Sequence, residues 1–122
     1  MILDFKTRTV DPDIAVFALI GRLTLGNRLT EIEHAIKSSM HGGCRKMVID
    51  LENLEFIDSA GLGMLVMCAG SMAQTGGRLC LAAASPRVAQ VFEITNLERV
   101  VALHPTAESA CQSLAEGAAA AS

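Results

Sequence analysis

Between Asp58 and Arg78 the chain carries no charged side chain. In a chain of 122 residues such a run must be covered by a bilayer, by the chain's own core or by a partner, because a helix facing water normally carries a polar stripe. Local chemistry argues against the bilayer. Gly61, Gly63, Gly70, Gly76 and Gly77 interrupt the run, and Gln74-Thr75-Gly76-Gly77 closes it as a turn. Strand-like segments flank it where a membrane helix of about 20 residues would carry interfacial anchors. Asp4, Lys6 and Arg8 break up the short apolar start, so no secretory leader is expected and the protein is expected in the cytoplasm. The run is therefore predicted to be a helix packed inside one domain.

The segments around it alternate between two periods. Residues 2–10, ILDFKTRTV, alternate, and 14–20, IAVFALI, are nearly all apolar, with Asp11-Pro12-Asp13 as the turn of an antiparallel hairpin. Over 26–40 the period changes: Leu29, Ile32, His34, Ala35, Ile36 and Met40 fit one side of a helix that His41-Gly42-Gly43 stops. A buried strand over 46–51 is followed by a loop at 52–57 and then the uncharged helix. Another strand is predicted over 78–84. Ser85-Pro86 opens a helix through about residue 92, serine being a good cap and proline fitting the first helical position. Asn96 ends it in the left-handed conformation asparagine tolerates. A short strand at 99–103 and a helix at 107–114 complete the domain, 1–115. The tail 116–122 has little to bury and is expected to be disordered. A hairpin followed by alternating helices and strands implies an α/β fold: a single mixed β-sheet, its strands parallel after the hairpin, packed with about four helices.

Charge and residue pattern exclude several functions. The formal net charge of −3, the scattered Lys and Arg and the near absence of aromatics argue against nucleic-acid binding. Cys44, Cys68, Cys80 and Cys111 form no CxxC pair, and His34, His41 and His104 stand at no metal spacing from them. Reduced, mostly buried thiols are expected, with no metal and no cofactor.

Loops leaving the carboxyl ends of parallel strands collect function in α/β domains, and Asp58-Ser59-Ala60-Gly61-Leu62-Gly63 occupies such a place. A hydrolase elbow would need glycine where Ile57 stands. A dinucleotide fingerprint would need a small residue at Val66 and an acid after 78–84. A receiver domain would need an acidic pair after its first strand, and Asp11 and Asp13 lie in the hairpin. Two readings of Ser59 stay open: a helix cap, as for Asp58, or a modifiable hydroxyl around which glycines open the backbone to another protein. On the helix, Leu62, Leu65, Val66, Ala69, Met72 and Ala73 should face the sheet, with Met64, Met67 and Ser71 on another side. Those methionines either fill core gaps or form a docking surface with Ser59 at its edge.

Val48-Ile49-Asp50-Leu51, Phe56-Ile57-Asp58-Ser59-Ala60-Gly61-Leu62-Gly63, Gly76-Gly77-Arg78-Leu79, Ser85-Pro86 and Val91-Phe92-Glu93-Ile94-Thr95-Asn96-Leu97 resemble the STAS domain, specifically the anti-sigma factor antagonists of the SpoIIAA type. The resemblance covers roughly residues 4–115. It implies a non-enzymatic switch: Ser59 is phosphorylated by a cognate anti-sigma factor that is an ATP-dependent serine kinase, the unmodified form binds that kinase and frees the sigma factor, and a PP2C-type phosphatase restores it. Asp58, Ser59, Ala60, Gly61, Leu62, Gly63, Met64 and Met67 would meet the partner. Gly21-Arg22-Leu23-Thr24 departs from the family's G-E-L-D-like element, leaving Thr24 as a contact. Neither direct nucleic-acid contact nor membrane insertion is implied, and a weak homodimer is compatible with it. The alternative is a STAS subunit docked on a transport ATPase or stress-signalling scaffold, with Ser59 a contact only. A third reading, of another class, is a nucleotide or small-ligand module using the glycine loop.

Overall fold

The computed structural model of the chain describes residues 2–10 and 13–121. Five strands form one sheet in the order β1-β2-β3-β4-β5. β1 (Asp4–Val10) and β2 (Ile14–Leu23) are antiparallel; β2, β3 (Lys46–Ile57), β4 (Arg78–Ala82) and β5 (Ala102–His104) run parallel. The strands are joined by α1 (Leu29–His41), α2 (Ser59–Gln74) and α3 (Pro86–Ile94), and α4 (Ala107–Ala121) closes the chain. This is the mixed sheet with four helices that the alternation predicts. Asp11 and Pro12 of the expected hairpin turn lie outside the described residues.

Side-chain alternation divides the core between two faces of the sheet. Met47, Ile49 and Leu51 of β3 join Leu79 and Leu81 of β4 under α1, α2 and α3. Val48, Cys80 and Ala82 point the other way and meet Ala110, Cys111 and Leu114 of α4 with Ile14 and Val16. Each fully buried Leu, Ile or Met contributes about 1.5–3 kcal/mol; β3 and β4 are covered on both faces, whereas Lys6, Thr7, Arg8 and Thr9 of the edge strand β1 stay exposed. Among the described residues, no helix is long and apolar enough to cross a membrane.

The most consequential difference from the sequence expectation is at 52–57, read as a loop and found as the second half of β3. Its inward residues are Leu51, Leu54 and Ile57, spaced by three because the β2–β3 register shifts twice, between Ala18/Ile20 and Gly21/Arg22. Bulges of this kind absorb extra residues and bend the strand. Pairing therefore continues to Leu23↔Ile57, which brings the ends of β2 and β3 out together.

Other boundaries move for local reasons. β4 stops at Ala82 because Ala83 is left-handed, at φ 59°. Residues 97–99 are a short 3-10 turn, so β5 is only Ala102–His104. α4 is drawn to Ala121, beyond the predicted 114, alanine being the strongest helix former; Ser122 lies outside the described residues. His34 is exposed, since it lies between Ile32 and Ile36 and about 200° from each around the helix. Ser85 caps α3 through Val88 N–H at 3.5 Å, and Asn96 is left-handed at φ 54°, both as predicted.

Candidate functional site

The ends of β2 and β3 are tied where α2 begins. Asp58 N–H donates to Leu23 O at 3.2 Å, and the Asp58 backbone is extended at φ −105°, ψ −177°. Its carboxylate then accepts twice, Oδ1 from Gly61 N–H at 2.8 Å and Oδ2 from Leu25 N–H at 3.0 Å. One acid thus caps α2 and pins the loop leaving β2. Desolvation pushes this carboxyl up, but the amides of Gly61, Leu25 and Ala60 outweigh it and hold the group below its usual 3.8. A depressed carboxylate stabilises the fold above its unfolded pKa, and that contribution is lost as pH falls through the folded value. Asp58→Ala is expected to cost about 1–2 kcal/mol at neutral pH, as for loss of an N-cap. Asp58→Asn keeps the cap to Gly61 and should cost less, although its amide cannot accept from Leu25. Urea unfolding at neutral and acidic pH checks both, the Asp58→Ala deficit shrinking in acid.

The cap assignment bears on Ser59, the first residue of α2. Its side chain is exposed, and among the described residues its hydroxyl has no hydrogen-bond partner. Asp58, unlike Ser59, is the cap. The carboxylate also occupies the Gly61 amide, one of the donors a helix start would offer an added anion.

Around Ser59 the structure sorts the expected contact residues into two groups. Gly63 and Met67 are exposed on α2, Ala60 and Leu62 half-buried. Met67 keeps 58% of its surface. Thr24, half-buried, lies between Leu23 and Leu25, the two residues bonded to Asp58. Two residues are withdrawn. Met64, placed by sequence on the outer side, is 4% exposed, its Sδ 3.7 Å from the Sγ of buried Cys68. Gly61 is buried against β2: a side chain there would meet the Leu23 carbonyl, Leu23 Cγ at 2.9 Å and Ile57 Cγ1 at 3.1 Å. Ala73, expected toward the sheet, is exposed.

One surface residue escaped sequence reasoning. Leu25 has 77% of its surface exposed, in the loop that Asp58 holds. The signal available was an isolated large apolar residue before Gly26 in a polar turn. Beyond it, Arg22 sets its guanidinium 4.8 Å from the Phe56 ring centre. This rim therefore offers the exposed, unbonded hydroxyl of Ser59, the exposed apolar side chains of Leu25 and Met67 and a cation held over an aromatic face, with no nucleophile–base hydrogen bond among the described residues.

Comparison with known proteins places this arrangement among relatives. The STAS domain profile matches residues 6–110. A Thermotoga maritima protein provisionally named an anti-sigma factor antagonist is 31% identical over 108 residues, 88% of this chain and 95% of that protein. Its homolog from Thermotoga neapolitana is 34% identical over 73 residues, 60% of this chain and 65% of the relative, so that match spans slightly less than two thirds of the relative's length. The unphosphorylated form of the anti-sigma factor antagonist SpoIIAA superposes with a TM-score of 0.77 at 25% identity, covering 93% of this chain and 97% of that one.

Proposed function

The chain belongs to the STAS domain family, and from that premise we propose that it is an anti-sigma factor antagonist switched by phosphorylation of Ser59. The observation that carries the proposal is the unbonded, exposed hydroxyl of Ser59 beside an acid that has taken over the capping of α2. In its unmodified form the protein binds an anti-sigma factor across Ser59, Gly63, Met67 and the Thr24–Leu25 loop, and the sigma factor is released. The anti-sigma factor is itself a serine kinase: it transfers the γ-phosphoryl group of ATP to the Ser59 oxygen, releasing ADP and the hydroxyl proton. A PP2C-type phosphatase hydrolyses the ester, returning the hydroxyl and inorganic phosphate.

The chemistry supports an off-switch. Phosphate adds close to two negative charges and a strongly hydrated group. With Gly61 N–H already held by Asp58, and with Asp58 itself negative, the phosphate is directed outward, where the partner must meet it. The protein is a substrate in this scheme and performs no catalysis.

Incubation with the cognate anti-sigma factor and ATP, followed by peptide mass spectrometry, tests the assignment. One phosphoryl group on Ser59 is expected, with none on the Ser59→Ala chain. Label at another serine, or none while the complex forms, would remove Ser59 from the acceptor role.

A further inference from the structure

Among the described residues Leu25 is the most exposed large apolar side chain, and it joins neither cluster of the core. A single surface leucine needs no explanation by itself. What sets this one apart is the bracing of the loop that carries it. Asp58 Oδ2 accepts Leu25 N–H at 3.0 Å from 33 residues away in sequence. Behind it Asn27 closes the turn, its N–H donating to Thr24 O at 3.1 Å and its side-chain amide to Arg22 O at 2.9 Å, while its Oδ1 accepts Leu3 N–H at 3.2 Å. An apolar group on a loop already fixed in shape loses little conformational freedom on binding, which raises the affinity it can contribute.

The same carboxylate ties Leu25 to the start of α2, because its Oδ1 accepts Gly61 N–H at 2.8 Å and Ser59 is the residue that follows it. One side chain therefore fixes Leu25 relative to the Ser59 hydroxyl. We propose that Leu25 is the apolar anchor of the anti-sigma factor complex, entering a pocket of apolar side chains on that partner, and that Asp58 is the positioning residue that presents it next to Ser59. The inference rests on the anti-sigma factor reading and names the contact that holds the partner there. A few anchors that fill a partner's pocket carry most of an interface's energy, and a phosphate on the residue after Asp58 would arrive where that anchor has to leave water.

Calorimetric titration of the full unmodified chain with the cognate anti-sigma factor tests it. Leu25→Ala is expected to bind about thirtyfold more weakly, as for exposing one leucine, and Leu25→Met, which keeps the apolar volume, within about threefold of the parent. Asp58→Asn can still accept from Gly61 N–H through its oxygen but turns a donor toward Leu25 N–H, and should bind about tenfold more weakly. The two losses should not add: the Leu25→Ala/Asp58→Asn chain is expected within about threefold of Leu25→Ala alone, since both act through one contact. In ¹⁵N-labelled Asp58→Asn without partner, the Leu25 amide should exchange with solvent faster while the Gly61 amide keeps its protection. Parent-like binding by Leu25→Ala, additive losses, or an unchanged Leu25 amide would overturn the proposal and leave Ser59 standing as the phosphate acceptor. Absence of any complex with the parent chain would overturn both this inference and the anti-sigma factor reading.

Discussion

Gly61→Ala is expected to destabilise the domain by about 3 kcal/mol, the upper range for overpacking a close contact, while Gly63→Ala, two residues further along the same helix, leaves stability level or slightly raised. The two glycines look alike in sequence. At Gly61 a methyl group would be driven into the Leu23 carbonyl and within 2.9 Å of Leu23 Cγ, and a strand carbonyl bonded to Asp58 N–H cannot yield without loosening both strand ends. At Gly63 nothing lies within 4 Å, and replacing a helical glycine by alanine is worth about 0.5–1 kcal/mol in favour of the fold. Urea midpoints of the two variants and the parent decide the matter. Equal destabilisation would show that α2 does not sit against β2 as described.

Phosphorylated chain is expected to bind the anti-sigma factor at least about 100-fold more weakly than unmodified chain, because like charge or an unpaired phosphate at a protein contact costs several kcal/mol and about 1.4 kcal/mol is tenfold. Calorimetry on the purified forms measures this directly. Ser59→Ala should retain binding, since it adds neither charge nor bulk. The melting temperature provides the internal control: modification should move it little, because the Ser59 hydroxyl is exposed and supports no bond inside the fold. A phosphorylated chain that binds within about threefold of the parent, a difference of less than about 1 kcal/mol, would rule out the switch.

Much of the architecture was legible because its signals are local. Ser85 followed by Pro86, and Asn96 at φ 54°, reflect backbone chemistry that needs no knowledge of neighbours. The strand over 52–57 was hidden because Glu52, Asn53 and Glu55 are exposed on it and because the register shifts break the period of two. A strand paired this way is recognised only through its partner. The orientation of α2 was harder still. With no charged residue on the helix, periodicity has no polar face to detect, so Met64 and Met67 read alike from sequence, although one is enclosed beside Cys68 and the other faces water. Asp58 and Ser59 posed the same difficulty at the helix start. Both are residue types that cap, and only the 2.8 Å and 3.0 Å bonds of the carboxylate distinguish them. Leu25 came into view through its place on the folded rim.

Since Asp58 braces the junction between β2, β3 and α2 and the Ser59 hydroxyl has no hydrogen-bond partner among the described residues, the neighbouring oxygen is mechanically idle. Esterifying it should transmit no motion through the domain, and spectra of the two forms should coincide except within a few residues of position 59. Under the proposed switch the message would be written in surface charge and read only by whatever docks there. Its tempo would belong to the enzymes that add and remove the group, with no refolding step to slow the reply.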